Sequence, residues 1–408
     1  MHKRKKHSKG SNEKIKYKVT LDKRTLFVAV SLLALVSFIA GTREFELRAS
    51  VGQAIGIQSS NTIDTNSIQQ TYQFLAKHYD GNIDNQVLID GANSGMVDAV
   101  GNKYTQYFTS EEAKEYQDQL EGSIGGGIGI EVAMRDKKAT VVRTLDDNPA
   151  YEAGVRKKDV IIKINGEDVR EKDLQYIIGK IRGEIGTTVE LMLQRGKKEL
   201  TVSVTREEVN NPSVEKEIIG KVGILTVTRF DSQTGALARK ATQSMVDEGI
   251  EAVILDLRGD GGGYVDGAID LAGLWLNDKI VLTQKVKDAV VSESKTDSRA
   301  IIGDLPTVVL MDGGTASASE IVAGALRDYG KATLMGVKSF GKGSVQQIFD
   351  LDRGAQLKVT IAKWYTPKGT NIDANGLKPD AVVDISQKDI NSDKDPQLDA
   401  ALKQLQTN

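Results

Sequence analysis

A serine and a lysine, 25 residues apart, are the side chains of this sequence best suited to covalent chemistry. Ser317 lies in the run 311–320 (MDGGTASASE), where an apolar strand turns on two glycines and a helix-compatible stretch begins. A hydroxyl at a helix N-terminus lies near free backbone amides and the positive end of the helix dipole, which suits a developing oxyanion. Lys342 lies in the run 340–344 (FGKGS), with a glycine on each side. Together they favour nucleophilic catalysis by the serine.

The residue census limits which base could activate Ser317. The chain has no Cys, which excludes thiolate chemistry, and its three His are His2, His7 and His78, all more than two hundred residues before Ser317. We expect His78 to have a packing or surface role. Lysine is the remaining common partner, because Ser-Lys dyads are a known variant of the catalytic triad. A lysine acts as a base only when neutral, so burial against Phe340 and neighbouring apolar strands is expected to lower its pKa.

Two motifs carry a resemblance to a known family. The segments 314–321 (GTASASEI) and 340–346 (FGKGSVQ) together resemble the C-terminal processing peptidases, also called tail-specific proteases. The resemblance implies that Ser317 is the nucleophile, that Lys342 is the general base and that Gln346 orients the lysine. It covers the chain from about residue 65 to the C-terminus.

A glycine loop earlier in the chain extends the resemblance. The segment 255–263 (LDLRGDGGG) ends a predicted strand, and its glycine spacing does not fit the dinucleotide-binding pattern in any register. In the resembled family, the last glycine of this element supplies one amide of the oxyanion hole. The resemblance therefore implies that the amides of Gly263 and Ala318 bind the oxyanion. The family often has Pro where this chain has Gly261.

A phosphate-binding loop is the competing interpretation of the lysine segment. Residues 336–342 match the first seven positions of G-x-x-x-x-G-K-[ST], but Gly343 stands where the pattern needs a hydroxyl. The following residues, 344–351, favour a strand rather than the required helix. Nucleotide binding is therefore the weaker hypothesis.

Composition and charge distribution indicate a compartment. The formal net charge of -2 over 408 residues argues against nucleic-acid binding. Residues 1–24 form a basic tail, and residues 25–41 carry no charge. We expect 25–41 to be a retained transmembrane signal anchor rather than a cleaved signal peptide, with the N-terminus cytoplasmic and the catalytic part extracellular or periplasmic. The expected localisation is the cell membrane, as a single-pass protein.

The rest of the chain predicts an α/β multidomain protein in three parts. A linker and helical segment occupies 42–118, with helical spacing from Ser67 to Gln119. Residues 119–208 resemble a PDZ domain, in which Ile128, Gly129 and Ile130 form the peptide-binding loop. Residues 209–408 are expected to form an α/β serine protease core with a C-terminal helix.

The function implied is a membrane-anchored serine endopeptidase that cleaves C-terminal regions of extracytoplasmic proteins. Its expected partners are proteins or peptides with free C-terminal tails, without nucleic acid, metal or cofactor, and the resemblance also allows a homodimer. The alternative is a catalytically inactive PDZ-bearing scaffold on a decayed protease core. Three departures from the family pattern support the alternative, at Asn102-Lys103, Gly261 and Asp312.

Overall fold

The structure, a computed structural model, describes residues 63–406 except for single positions at 124, 146, 210, 298 and 393. The predicted basic tail (1–24) and signal anchor (25–41) lie outside these residues. In the part of the chain that is described, no helix is long and apolar enough to cross a membrane. The chain divides into two compact units, Met1–Asp84 and Asn85–Asn408.

The described part of the first unit contains helix α1 (Asn66–His78). None of its side chains is buried. His78 stacks on Phe74, one helical turn earlier, with 6.1 Å between the ring centroids. This contact is the packing role that the sequence predicts for His78.

The second unit begins with a helical segment that a short strand interrupts. Helix α2 (Asn85–Asp98) is followed by strand β1 (Gln106–Phe108) and helix α3 (Ser110–Leu120). Thr109 and Glu112 form a capping box that starts α3. The prediction of continuous helical spacing from Ser67 to Gln119 is therefore wrong at β1. The reason is tertiary, because β1 gains its backbone partners from a strand 250 residues later in the chain.

A β-rich domain with a PDZ fold follows. Its elements are β2 (Gly126–Gly127), β3 (Ile130–Arg135), β4 (Lys138–Thr144), α4 (Pro149–Glu152), β5 (Val160–Ile164), β6 (Glu167–Asp168), α5 (Leu174–Ile181), β7 (Thr188–Arg195), β8 (Lys198–Thr205) and β9 (Glu207–Glu208). The main sheet has the order β3-β4-β5-β7-β8, which leaves β3 at an edge, and β6 pairs with β5. A tight turn at Asn165-Gly166, with positive φ at both residues, joins β5 to β6.

The C-terminal part of the chain is an α/β structure, as the sequence predicts. Its elements are β10 (Val214–Ile219), β11 (Val222–Val227), α6 (Thr234–Asp247), β12 (Ala252–Asp256), α7 (Val265–Ala272), β15 (Thr307–Met311), α8 (Ala318–Asp328), β16 (Thr333–Gly336), β19 (Ala381–Val382), α9 (Gln387–Asn391) and α10 (Pro396–Gln406). The six strands form one sheet in the order β10-β11-β12-β15-β16-β19, and all neighbours after β10 are parallel. Leu225 and Val227 of β11 belong to a buried cluster that includes residues of α6, α7 and α8, whereas Ile224 belongs to a second cluster that includes residues of α10. Helices therefore cover both faces of the sheet, which makes three layers.

A second, antiparallel sheet joins β1 to four later strands. These are β13 (Ile280–Val286), β14 (Ala289–Lys295), β17 (Ser344–Asp350) and β18 (Gln356–Tyr365). The sheet has the order β1-β18-β13-β14, and β17 also pairs with β18. Because β17 starts two residues after Lys342, no helix follows the lysine. The helix that a phosphate-binding loop requires is thus absent at this position.

Candidate active site

Ser317 lies at the turn between β15 and α8, as the N-cap residue of the helix. Its φ of 55° and ψ of -114° are strained for a residue with a side chain, which is typical of nucleophiles on sharp strand-to-helix turns. The preceding turn is organised by Asp312, whose Oδ1 accepts hydrogen bonds from the amides of Gly314 and Gly259, each at 2.9 Å. Asp312, a departure from the family pattern, thus supports the turn.

Glu320 links the serine turn to the lysine loop. Its carboxylate is fully buried and accepts hydrogen bonds from the amide of Ser317 at 2.9 Å and the amide of Lys342 at 3.0 Å. The amide of Gly341 and the hydroxyl of Ser339 donate to the same carboxylate, at 2.8 and 2.5 Å. A buried carboxylate is stable only when donors of this kind surround it. Glu320 therefore fixes the distance between the two motifs.

Lys342 is partly buried, and burial lowers its pKa, whereas the negative charge of Glu320 raises it. The lowering agrees with the expected need for a neutral lysine. The expected contribution of Phe340 is wrong, because its side chain is 54% exposed. The Lys342 ammonium instead lies 5.5 Å from the ring centroid of Tyr104. Tyr104 is held by a turn in which Asn102 Oδ1 accepts from the Tyr104 amide at 3.0 Å, so Asn102, part of a departure from the family pattern, supports this turn.

One pocket, with a volume of about 380 Å³, contains Ser317, Lys342, Gln346 and Gly263. Gln346 donates from Nε2 to Ser344 Oγ at 2.9 Å. Among the described residues, no hydrogen bond joins Lys342 to Ser317 or to Gln346. The orienting role of Gln346 therefore stays a prediction. Catalytic hydrogen bonds often tighten only when substrate is bound.

The glycine loop lies directly beside the nucleophile. A Cβ placed on Gly262 would be 2.8 Å from Ser317 Cβ and 2.9 Å from the amide nitrogen of Ala318. The amides of Gly263 and Ala318 donate to no described residue. Phe230 holds the loop, since its nitrogen donates to Gly262 O and its carbonyl accepts from the Tyr264 amide. Two free amides beside the serine are what an oxyanion hole needs.

A buried carboxyl group lies beneath the loop. Asp260 is fully buried, and burial raises its pKa to about 7. Its Oδ1 accepts from the Gly262 amide at 2.8 Å, whereas Oδ2 has no partner among the described residues. Its backbone carbonyl accepts from the amide of Ala316 at 2.9 Å and from Ser319 Oγ at 3.1 Å. Asp260 thus connects the glycine loop to the serine turn.

The predicted peptide-binding residues line a separate pocket of about 240 Å³ in the PDZ domain. Ile128, Gly129 and Ile130 form one wall, and Ile178 and Arg182 at the end of α5 contribute to the other. The amides of Ile128 and Gly129 donate to no described residue. An apolar groove with free amides beside an edge strand suits the C-terminus of an extended peptide.

Sequence reasoning missed several residues of the catalytic pocket. The pocket also includes Tyr116, Tyr264 and Lys358, and Lys342 contacts Tyr104. Glu320 could have been identified from the sequence as a capping-box partner, because it lies three residues after Ser317. The others carry no local signal, because only the pairing of distant elements brings them to the site.

Fold and site together define a serine peptidase core joined to a PDZ domain. Comparisons with known proteins agree. The model of "Peptidase family S41" matches residues 221–383, the PDZ domain model matches 126–205, and the model described as "Activating protease CtpB N-terminal domain" matches 32–112.

The chain belongs to peptidase family S41, which confirms the expected class of serine peptidases. It is 34% identical over 331 residues to the "Probable CtpA-like serine protease" of Staphylococcus aureus (strain MSSA476), a match that covers 81% of this chain and 66% of that protein. The Staphylococcus epidermidis protein of the same name is also 34% identical, with 81% and 68% covered. A solved structure, the photosystem II D1 C-terminal processing protease, is 26% identical with a TM-score of 0.50, covering 78% of this chain and 87% of that one.

The close approach of Gly262 to the serine turn predicts a selective catalytic defect. Gly262→Ala should lower kcat by about 10²–10³-fold, because the new methyl group displaces the Ala318 amide and alanine strains the left-handed backbone. Gly261→Ala is the matched control, since its Cβ would meet open space. Peptide-cleavage kinetics with thermal unfolding as a fold check would measure both. Equal activity of the two variants would contradict this assignment.

The raised pKa of Asp260 predicts pH-dependent stability. A carboxyl whose pKa is raised on folding stabilises the protein at low pH and loses that contribution as pH rises from about 4 to about 7. Asp260→Asn removes the buried charge, so the variant should be more stable than wild type at pH 8. Its free energy of unfolding should exceed that of wild type by roughly 2–4 kcal/mol at pH 8, with no such gain at pH 4. Urea unfolding at both pH values checks this, with the exposed Asp278→Asn as control. A difference that does not vary with pH would refute it.

Proposed function

We propose that this protein is a membrane-anchored serine endopeptidase that cleaves the C-terminal regions of extracytoplasmic proteins with a Ser317-Lys342 dyad. The observation that carries the proposal is the common pocket of Ser317, Lys342 and Gly263, within a chain that belongs to peptidase family S41. Ser317 supplies the hydroxyl, Lys342 a base with a lowered pKa, and the loop a free amide.

The reaction has two stages, acylation of the serine and hydrolysis of the acyl-enzyme. Ser317 Oγ attacks the peptide carbonyl while its proton passes to Nζ of neutral Lys342, and the oxyanion accepts hydrogen bonds from the amides of Gly263 and Ala318. The C–N bond then breaks, and the Lys342 ammonium gives its proton to the leaving amine. Water, deprotonated by the same lysine, hydrolyses the acyl-enzyme and restores Ser317.

The substrate class follows from the PDZ domain. A free C-terminal carboxylate fits the unpaired amides of Ile128 and Gly129, and the preceding residues would extend along the edge strand β3. Arg182 at the groove is exposed and has no partner among the described residues, so it can pair with the same carboxylate. The name of the D1 C-terminal processing protease points to the same type of substrate end.

The location at the membrane rests on the sequence. The charge-free run 25–41 after a basic tail supports a signal anchor with the catalytic part outside the cytoplasm. The relatives' names carry no information on this point.

The alternative, an inactive scaffold, loses its support at two of its three positions. Asn102 and Asp312 each make the backbone hydrogen bonds that their turns require. A Cβ at Gly261 would meet no atom within 4 Å, so the residue type at this position does not determine how Gly262 and Gly263 are placed. The catalytic interpretation is therefore favoured over the scaffold.

The decisive experiment compares wild type with Ser317→Ala and Lys342→Ala. The protein should cleave an unfolded protein such as casein, and each variant should lose about 10⁴-fold or more in kcat/KM. Product mapping by mass spectrometry identifies the scissile bonds, and thermal unfolding confirms that each variant is folded. Cleavage by folded Ser317→Ala at the wild-type rate would refute the serine mechanism. Labelling of wild type, but not Ser317→Ala, by a fluorophosphonate would separate an enzyme from a scaffold.

The groove predicts a preference for free tails. Arg182→Ala should raise KM for a peptide with a free C-terminus about tenfold with little change in kcat, because one charge-assisted hydrogen bond is lost. The amidated peptide should be unaffected. Lys180→Ala on the same helix is the control, since Lys180 pairs with Glu167 and lies outside the groove. An equal effect on both peptides would argue against carboxylate recognition by Arg182.

A further inference from the structure

A second lysine, Lys358, projects into the catalytic pocket and has no role in the dyad. It lies on β18, opposite Gln106 of β1 and Ile348 of β17. No carboxylate among the described residues forms an ion pair with it. Its ammonium instead faces two aromatic rings, at 5.0 Å from the centroid of Phe108 and 4.7 Å from that of Tyr116.

The stacked rings of Phe108 and Tyr116 form an aromatic platform under this cation. Phe108 of β1 and Tyr116 of α3 stack on each other with 4.9 Å between their centroids and 19° between their planes. The faces of aromatic rings attract an ammonium ion, so the platform favours the charged form of Lys358. Burial acts in the opposite direction and lowers the pKa of Lys358, and the charge of Lys342 lowers it further.

The interaction between the two lysines is mutual, because the repulsion of two positive charges disfavours protonation of either one. Such a pair titrates as a unit and releases its first proton at a lower pH than an isolated lysine would. Lys358 faces two rings and Lys342 one, Tyr104. The two rings at Lys358 thus favour its charged form, in which it repels a positive charge on Lys342.

The other charged groups around the base show why a second cation matters. Glu320, from α8, raises the pKa of Lys342 and so opposes its function as a base. Asp373 lies near Gly343 and within 3.9 Å of Lys363. Two tyrosines also line the pocket. The Tyr264 hydroxyl donates to Glu121 Oε1 at 3.0 Å. Burial raises the pKa of Tyr116. Among the described residues that line the pocket, Lys358 is the cation that can offset the effect of the Glu320 carboxylate on the pKa of Lys342.

We propose that Lys358 is a positioning residue whose positive charge, held on the Phe108–Tyr116 platform, keeps Lys342 neutral and able to accept the proton of Ser317. Lys358 does not touch the reacting atoms. It acts through Lys342, as a neighbouring cation activates a catalytic lysine in other enzymes. This inference rests on the proposed Ser-Lys function.

The test is the pH profile of kcat/KM for wild type, Lys358→Gln and Lys358→Arg, from about pH 5.5 to 9.5. Lys358→Gln should move the acid limb to higher pH and lower kcat/KM about tenfold at pH 7, while the activity at high pH is retained. Lys358→Arg should keep the wild-type acid limb, because guanidinium stays charged. The substrate is an uncharged peptide, with a matched peptide carrying one Asp beside the scissile bond. Lys358→Met replaces the glutamine variant if that variant is unfolded by circular dichroism.

Each other outcome overturns the proposal. An unmoved acid limb, or an equal loss at every pH, would leave Lys358 with a structural role. A loss restricted to the Asp peptide would make it a substrate-binding residue. An inactive Lys358→Arg together with an active Lys342→Ala would make Lys358 itself the base. Failure of the proposed function is distinguished by an active Ser317→Ala, whatever the Lys358 variants do.

Discussion

The buried carboxylate of Glu320 is the interaction on which the site depends. Four donors converge on it, from the amides of Ser317, Gly341 and Lys342 and the hydroxyl of Ser339. A buried charge is tolerated only when it is fully hydrogen-bonded, so the serine turn and the lysine loop must both be in place for the core to be stable. The relative positions of Ser317 and Lys342 are thereby coupled to the folding of the protease core.

The same carboxylate creates an electrostatic conflict that the rest of the pocket must resolve. It favours the charged form of Lys342, whereas the proposed Ser-Lys mechanism needs the neutral form. Burial of the lysine acts against it, and the role proposed for Lys358 would act in the same direction. Asp260 shows a related compromise, since it orders the Gly262 amide but is buried with an unpartnered oxygen. Strain at Ser317 adds to these unfavourable features, which the packed three-layer core must outweigh.

Local sequence patterns predicted the parts of the structure that local physics determines. Strand β15 was recognised from its apolar residues, and Ser317 from its place between glycines and a helix-compatible run. The expected packing of Lys342 against Phe340 was wrong, because a loop residue next to glycines gives no sign of which way its side chain faces. Strand β1 and the lysine platform depend on pairing across 250 residues, so no local pattern could reveal them. The hairpin β13–β14 was also missed, although its pairing is local.

The segment that leads into the PDZ domain is joined to the glycine loop by side-chain contacts as well as by the chain. Tyr264, directly after Gly263, donates to Glu121 at the entry of the PDZ domain, and Gln117 donates to the Tyr264 hydroxyl at 3.0 Å. Ser232 Oγ donates to the other oxygen of Glu121 at 2.7 Å. Both contacts fall on the segment that holds the glycine loop. The position of the Gly263 amide therefore depends on contacts with the residues that precede the PDZ domain as well as on the packing of the core.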